Sequence, residues 1–185
     1  QSLTDQGFDV IDIGMVPTPM AYYGVYHLSA AGCIMVTASH NPAPYNGFKL
    51  MLGKDSFHGE GLQRLKEIML KQDYPEVETK GKIKLVDLQD EYAAFVNQDC
   101  ILERPLKVVI DAGNGPAGLV AAPVYRGLGC EVVELYCEPD GTFPNHHPDP
   151  TVEENLIDLA KRVRETGADL GIAFDGDGDR IGVVD

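Results

Sequence analysis

The sequence is short of basic residues and of long apolar runs, and each shortage closes off a class of function. Lys and Arg number 15 against 29 Asp and Glu, for a net charge of −14. Nucleic-acid binders need a basic stripe to neutralise phosphates, so no nucleic-acid partner is expected. A site for a small anion must instead be built locally, from a metal, a few cations or backbone amides. No stretch approaches the ~20 apolar residues that a membrane span needs, so no membrane association is expected. The polar residues 1–9 lack the basic-then-apolar order of a signal peptide. Cysteine is scarce and scattered: Cys33, Cys100, Cys130 and Cys137 form no C-x-x-C pair. Cys33 and Cys130 open apolar runs, where cysteine acts as a small hydrophobe. Four reduced thiols fit a cytoplasmic location. An initiator methionine is also lacking, and Asp185 falls inside an apolar run, so the chain reads as a fragment truncated at both ends.

What is present is an ordinary globular mixture, 44% hydrophobic and 24% charged over 185 residues. Apolar runs of strand length alternate with segments of helical period. Strands are expected at 8–13, 31–36 and 48–52, and helices at 17–28 and 61–71, the latter with Leu62, Leu65, Ile68 and Met69 on one face. Residues 73–82 are polar, carry Pro75 and Gly81, and read as a linker. A helix at 87–98 precedes a β-α-β-α-β series: strands at 108–111, 131–136, 170–174 and 181–184, helices at 116–128 and 152–166. The expected fold class is α/β, with two layered α/β domains, 1–85 and 86–185, whose mixed sheets are covered by helices. Ligands in such sheets bind at the carboxyl ends of strands. Two chemically loaded loops sit at such ends.

The first loop is acidic. Asp175, Asp177 and Asp179 alternate with Gly176 and Gly178, and Arg180 follows. In a flat strand, residues two apart are separated by ~6.5 Å, too far to share one small ion. The glycines let the backbone curl until the carboxylates converge. Three hard oxygen donors without His or Cys suit Mg²⁺, and three crowded carboxylates repel one another without a cation. Two other readings stand beside this one. A calcium loop also uses D-x-D-x-D, but has Gly where Arg180 stands and a helix before it. An aspartyl phosphatase places D-x-D after a strand, which would make Asp175 the nucleophile.

The second loop runs Thr37-Ala-Ser39-His40-Asn-Pro and continues to Tyr45-Asn-Gly-Phe-Lys49. A serine followed by His, Asn and Pro in a strand-end loop is a candidate exposed nucleophile, and an ordinary turn is the competing reading, because Asn-Pro and Asn-Gly mark turns. The two segments together resemble the phosphoserine loop of the α-D-phosphohexomutases. The acidic loop resembles the metal loop of the same superfamily, and 143–150, Phe-Pro-Asn-His-His-Pro-Asp-Pro, is similar to its second domain. The Tyr-Asn-Gly-Phe-Lys form is most similar to the bacterial phosphomannomutase/phosphoglucomutase branch.

The resemblance implies specific roles. Ser39 carries a phosphoryl group. Asp175, Asp177 and Asp179 hold Mg²⁺ together with an oxygen of that phosphate. Lys49 is the general acid/base, with a pKa expected to be lowered by nearby cations or burial. His40 and Arg180 stabilise charge and assist proton transfer beside the phosphoserine. The substrates are hexose phosphates, interconverted between 1- and 6-phosphate through a hexose 1,6-bisphosphate. The family has four domains, of which the later part of the first and most of the second match here. With the other mutase domains missing, the fragment is expected to be poorly active.

Three other features call for a reading. Gly113-Asn-Gly115-Pro-Ala-Gly118 fits G-x-G-x-x-G after a strand, with Glu131 and Glu134 following, as in a dinucleotide fingerprint. The competing reading is a tight strand-to-helix turn. A non-catalytic calcium- or nucleotide-binding module is thus a further alternative. The pair His146-His147 invites a metal reading, but chain neighbours seldom point the same way, and the segment reads as a structured loop. Met15, Met20, Met35, Met51 and Met69 are expected in or near the core.

Overall fold

A computed structural model describes every residue except Gln1, Ala43, Asp73, Pro75 and Glu76. Part of the expected linker, including Pro75, therefore lies outside the described residues. The first half contains α1 (Ser2–Asp5), β1 (Val10–Asp12), α2 (Thr18–His27), β2 (Gly32–Val36), β3 (Phe48–Leu52), β4 (Asp55–Ser56), α3 (Glu60–Lys71) and β5 (Ile83–Leu85). The second half contains α4 (Gln89–Gln98), β6 (Lys107–Asp111), α5 (Ala121–Gly127), β7 (Glu131–Leu135), α6 (Ile157–Thr166), β8 (Leu170–Phe174) and β9 (Ile181–Val184). Single 3₁₀ turns, Pro116–Leu119 and Glu153–Leu156, lead into α5 and α6, where continuous helices were expected.

The second half is built around β6. Its sheet runs β7-β6-β8-β9, parallel except for β9. A central parallel strand is buried on both faces, so it reads as an unbroken apolar run. Val108 and Ile110 point to one side, against Ala121, Cys130 and Ile172. Val109 points to the other, against Leu159, Val163 and Ala173. This period-2 alternation seats α5 on one face and α6 on the other.

The first half has two small sheets. β1 and β5 pair in parallel, and β2-β3-β4 is an antiparallel meander. The strand β5 was not expected, because three residues carry too little period to be recognised. It forms through a pairing with β1 more than seventy positions earlier. Apolar side chains on these strands stay open to solvent, among them Ile11, Ile34, Val36, Phe48, Leu52 and Leu85. The amphipathic helix α3 buries none of its residues. Met69 on α3 and Met15 are therefore exposed, against expectation, whereas Met20 is fully buried.

The halves meet through the start of α2. Val16, Met20 and Ala21 form one core cluster with Leu88 and Val120 of the second half. This contact brings the carboxyl ends of β2 and β8 together.

Candidate active site

β8 and β9 form a hairpin whose last pair is Phe174 with Ile181. The N–H of Asp175 donates to the Arg180 carbonyl at 3.1 Å, and that of Gly178 to the Asp175 carbonyl at 3.0 Å. The acidic loop is thus a tight turn, with Gly178 in the left-handed region at φ +72°. The turn brings one oxygen from each of Asp175, Asp177 and Asp179 within 4.8 Å of one another. Gly176 serves a different purpose from the expected curl. A Cβ there would lie 2.1 Å from the carbonyl oxygen of Ser39, so only glycine allows the two loops to touch.

The serine loop closes the β2–β3 hairpin. Its register pairs Met35 with Lys49 and Val36 with Phe48, and the N–H of Thr37 donates to the Gly47 carbonyl at 3.0 Å. Ser39 itself is left-handed, at φ +53°, a region that non-glycine residues seldom occupy. The hydroxyl of Thr37 supports the bend by accepting the Ser39 N–H at 2.9 Å. Ser39 Oγ donates to Asp175 Oδ2 at 2.9 Å, across 136 positions of sequence. Arg180 Nη2 donates to Ser39 Oγ at 3.3 Å and to Asp175 Oδ2 at 2.8 Å. It also donates to His40 Nδ1, which lies 3.2 Å from Ser39 Oγ.

Lys49 Nζ stands 2.6 Å from both Asp177 Oδ2 and Asp179 Oδ2. Burial works to lower the pKa of its ammonium, but the hydrogen bonds to the two carboxylates outweigh it and hold the pKa up. The sequence reading expected a lowered pKa. The difference follows from the neighbours, which are anions rather than cations. Burial likewise works to raise the Asp177 carboxyl, yet the hydrogen bonds from Lys49 and Thr18 keep it low.

Asp177 Oδ2 receives the hydroxyls of Thr18 at 2.7 Å and Thr37 at 3.2 Å, and the N–H of Thr18 reaches the Asp177 carbonyl at 2.8 Å. The other oxygen, Asp177 Oδ1, is buried without a hydrogen-bond partner. An unpaired buried carboxylate oxygen is costly. Together with two neighbouring carboxylates it forms an all-oxygen donor set that fits a hard divalent cation.

All seven residues singled out from the sequence, Ser39, His40, Lys49, Asp175, Asp177, Asp179 and Arg180, therefore share one corner. Sequence reasoning missed Thr18 and Thr37. The position of Thr18 just after Pro17, in the first turn of an expected helix, was a usable signal, since such residues cap and clamp. A cavity of about 940 Å³ opens beside the corner. Its walls are mostly apolar, with Phe8, Ile13 and Met35 among them, and Ser39, Asn114, Asp140 and Asp177 add polar groups. In the glycine-rich turn after β6, Gly113 and Gly118 make room for neighbouring protein. A Cβ at Gly118 would lie 1.9 Å from the Cys137 carbonyl oxygen, and one at Gly113 would press on Pro148.

Comparison with known proteins identifies the family. The family model described as phosphoglucomutase/phosphomannomutase, alpha/beta/alpha domain I, matches residues 1–75, and that of domain II matches residues 86–185. The phosphomannomutase/phosphoglucomutase of Pseudomonas syringae pv. tomato is 49% identical over 184 residues, covering 100% of this chain and 39% of the relative. A phosphoglucomutase of Neisseria meningitidis serogroup A is 46% identical, with 100% and 40% covered. The crystal structure of a phosphoglucomutase/phosphomannomutase family protein from Burkholderia thailandensis superposes with a TM-score of 0.89 at 44% identity, covering 98% of this chain and 41% of the other. The chain thus spans about two fifths of the length of the relatives it matches. With family models matching both halves and a serine loop seated on a carboxylate turn, the chain belongs to the phosphoglucomutase/phosphomannomutase family.

Proposed function

We propose that the whole protein is a cytoplasmic phosphosugar mutase. It interconverts the 1- and 6-phosphates of glucose or mannose through phosphorylated Ser39 and a hexose 1,6-bisphosphate. The observation that carries this reading is the hydrogen bond joining Ser39 Oγ to Asp175. Mg²⁺, held by Asp175, Asp177, Asp179 and one oxygen of the Ser39 phosphate, would supply charge neutralisation for the phosphoryl group. The rest of the catalysis is positioning and electrostatics from the chain. As the bond between phosphorus and Ser39 Oγ breaks, a new one forms to a sugar hydroxyl, whose proton passes to Lys49 as the neutral amine, the form available once Asp177 and Asp179 no longer hold its ammonium. Arg180, within 3.3 Å of Ser39 Oγ, stabilises the charge left on that oxygen, and His40 assists beside it. When the bisphosphate turns around, the same steps run in reverse and return a phosphoryl group to Ser39.

The reading with Asp175 as nucleophile is less well supported. Its side chain is fully buried, with Oδ1 accepting the N–H groups of Asp179 and Arg180 and Oδ2 engaged by Ser39 and Arg180. Peptide mass spectrometry after exposure to glucose 1,6-bisphosphate with Mg²⁺ separates the two. Phosphate is expected on Ser39 and absent from Ser39→Ala. Phosphate on Asp175, or undiminished labelling of Ser39→Ala, would sink the serine mechanism.

In this proposal the chain holds two domains, 1–85 and 86–185. The relatives' further length is where the sugar-specificity loop and the substrate-phosphate clamp are placed in this proposal. The 185 residues alone are therefore expected to turn over poorly, and near-normal mutase activity from them would contradict that division of labour.

A further inference from the structure

Behind the carboxylate turn lies a buried polar pair that the proposed chemistry does not use. Asp111, at the carboxyl end of β6, is completely buried, and His146 Nε2 stands 3.0 Å from its Oδ2 and 3.2 Å from its Oδ1. The other ring nitrogen, Nδ1, lies 3.0 Å from the carbonyl oxygen of His147. A carbonyl only accepts hydrogen bonds, so Nδ1 carries a proton, and Nε2 shares a second one with the carboxyl group of Asp111. The arrangement is that of a hydrogen-bonded His–Asp pair. The hydrogen bond to Asp111 is also the main cause that raises the His146 pKa.

The pair fixes a loop that touches the back of the site. Two residues after His146, Pro148 is fully buried. A Cβ at Gly176 would meet Pro148 Cγ at 3.3 Å on one side and the Ser39 carbonyl on the other. A Cβ at Gly182, beyond the turn, would lie 2.9 Å from Pro150 Cβ. The same loop is tied at its start by Asn145, whose side chain donates to Asn114 Oδ1 at 2.8 Å. Asn155 donates to the Asp149 carbonyl at 2.9 Å. The acidic turn is thus held between the serine loop and the segment 145–150.

We propose that the Asp111–His146 pair is a positioning device: it clamps the segment 145–150 against Gly176 and Gly182, and so sets the spacing of the Asp175, Asp177 and Asp179 carboxylates. This rests on reading those three as a divalent-cation site. Affinity for the cation then depends on a histidine that never touches it, as it does for outer partners in other metal sites.

Mn²⁺ is the probe, titrated into the chain and followed by the loss of the free-ion electron paramagnetic resonance signal. His146→Gln keeps the bulk and one donor, and Asp111→Asn keeps the shape. Each is expected to weaken Mn²⁺ binding about tenfold or more while circular dichroism shows a folded protein. The double variant is expected to lose little beyond either single one, because both act through one contact. Mn²⁺ affinity within about twofold of wild type in either folded variant would overturn the positioning role while leaving the carboxylate site intact. Absence of Mn²⁺ binding in the wild type would instead strike at the cation site itself.

Discussion

At the scale of single residues, the site depends on contacts that tolerate no added atom and no lost donor. Gly176 is the clearest case, because a Cβ there would lie 2.1 Å from the Ser39 carbonyl oxygen. Gly176→Ala forces the two loops apart and is expected to cost about 1–3 kcal/mol in denaturant unfolding, the range for overpacking. Phosphorylation of Ser39 should fall with it, since the serine then leaves Asp175. Thr18→Val tests the opposite loss. It keeps the shape but takes the 2.7 Å hydroxyl from buried Asp177, which already has one unpaired oxygen. A destabilisation of about 1–3 kcal/mol is expected from the lost hydrogen bond. A cost near zero would mean that Thr37 and Lys49 suffice.

At the scale of elements, two hairpins and one helix start build the corner. The β2–β3 register brings Lys49 to the acidic turn, and β8–β9 closes that turn. Behind them, α6 holds the sheet in place through Leu159 and Val163. Leu159 is fully buried, and a Cβ at Gly171 would lie 2.7 Å from its Cδ1. Leu159→Ala should therefore cost about 2–5 kcal/mol through lost burial and the cavity left behind. Truncating Leu70 on α3, which is largely exposed, should change the stability of this chain little. The contrast separates the well-packed second half from the open faces of the first.

At the scale of the whole molecule, stability should respond to pH from both sides. His146 is held above its ordinary 6.5 by its hydrogen bond to Asp111, with burial opposing. The charged and titratable groups around it are Asp111 on β6, Tyr136 and His147 in loops, and Asp158 on α6. A raised pKa stabilises fully below pH 6.5, and that contribution is lost as pH rises through the folded-state value. Asp177 and Asp149 act in the other direction. Burial pushes both up, but Lys49 and Thr18 hold Asp177 below its ordinary 3.8, and Thr151, aided by His40 and Arg180, does the same for Asp149. Their stabilisation is present above pH 3.8 and fades as pH falls through the lowered values. Melting temperature followed from pH 5 to 9 should show His146→Gln converging on wild type toward alkaline pH. A constant gap across that range would argue against the raised His146 pKa.

Much of this protein was legible in order along the chain, because the signals were local. The run from Val108 to Asp111 announced a strand, and the alternation of strands with helical periods gave the α/β class. The Asp-Gly alternation announced converging carboxylates, and the serine and lysine segments pointed to the same chemistry. The strand β5 escaped, since three residues become a strand only when β1 lies beside them. The contacts of Thr18 and Thr37 with Asp177, and of His146 with Asp111, escaped for the same reason: each partner lies 35 or more positions away in sequence. Side-chain periodicity and turn chemistry are set by neighbours in sequence, so the sequence determines which segments are strands, turns and carriers of reactive groups. Which hydroxyl meets which carboxylate, and which ammonium is held by anions rather than freed by cations, depends on strand ends brought together from more than a hundred residues apart. Only the packing of α2 and the serine hairpin against the β8–β9 turn decides that.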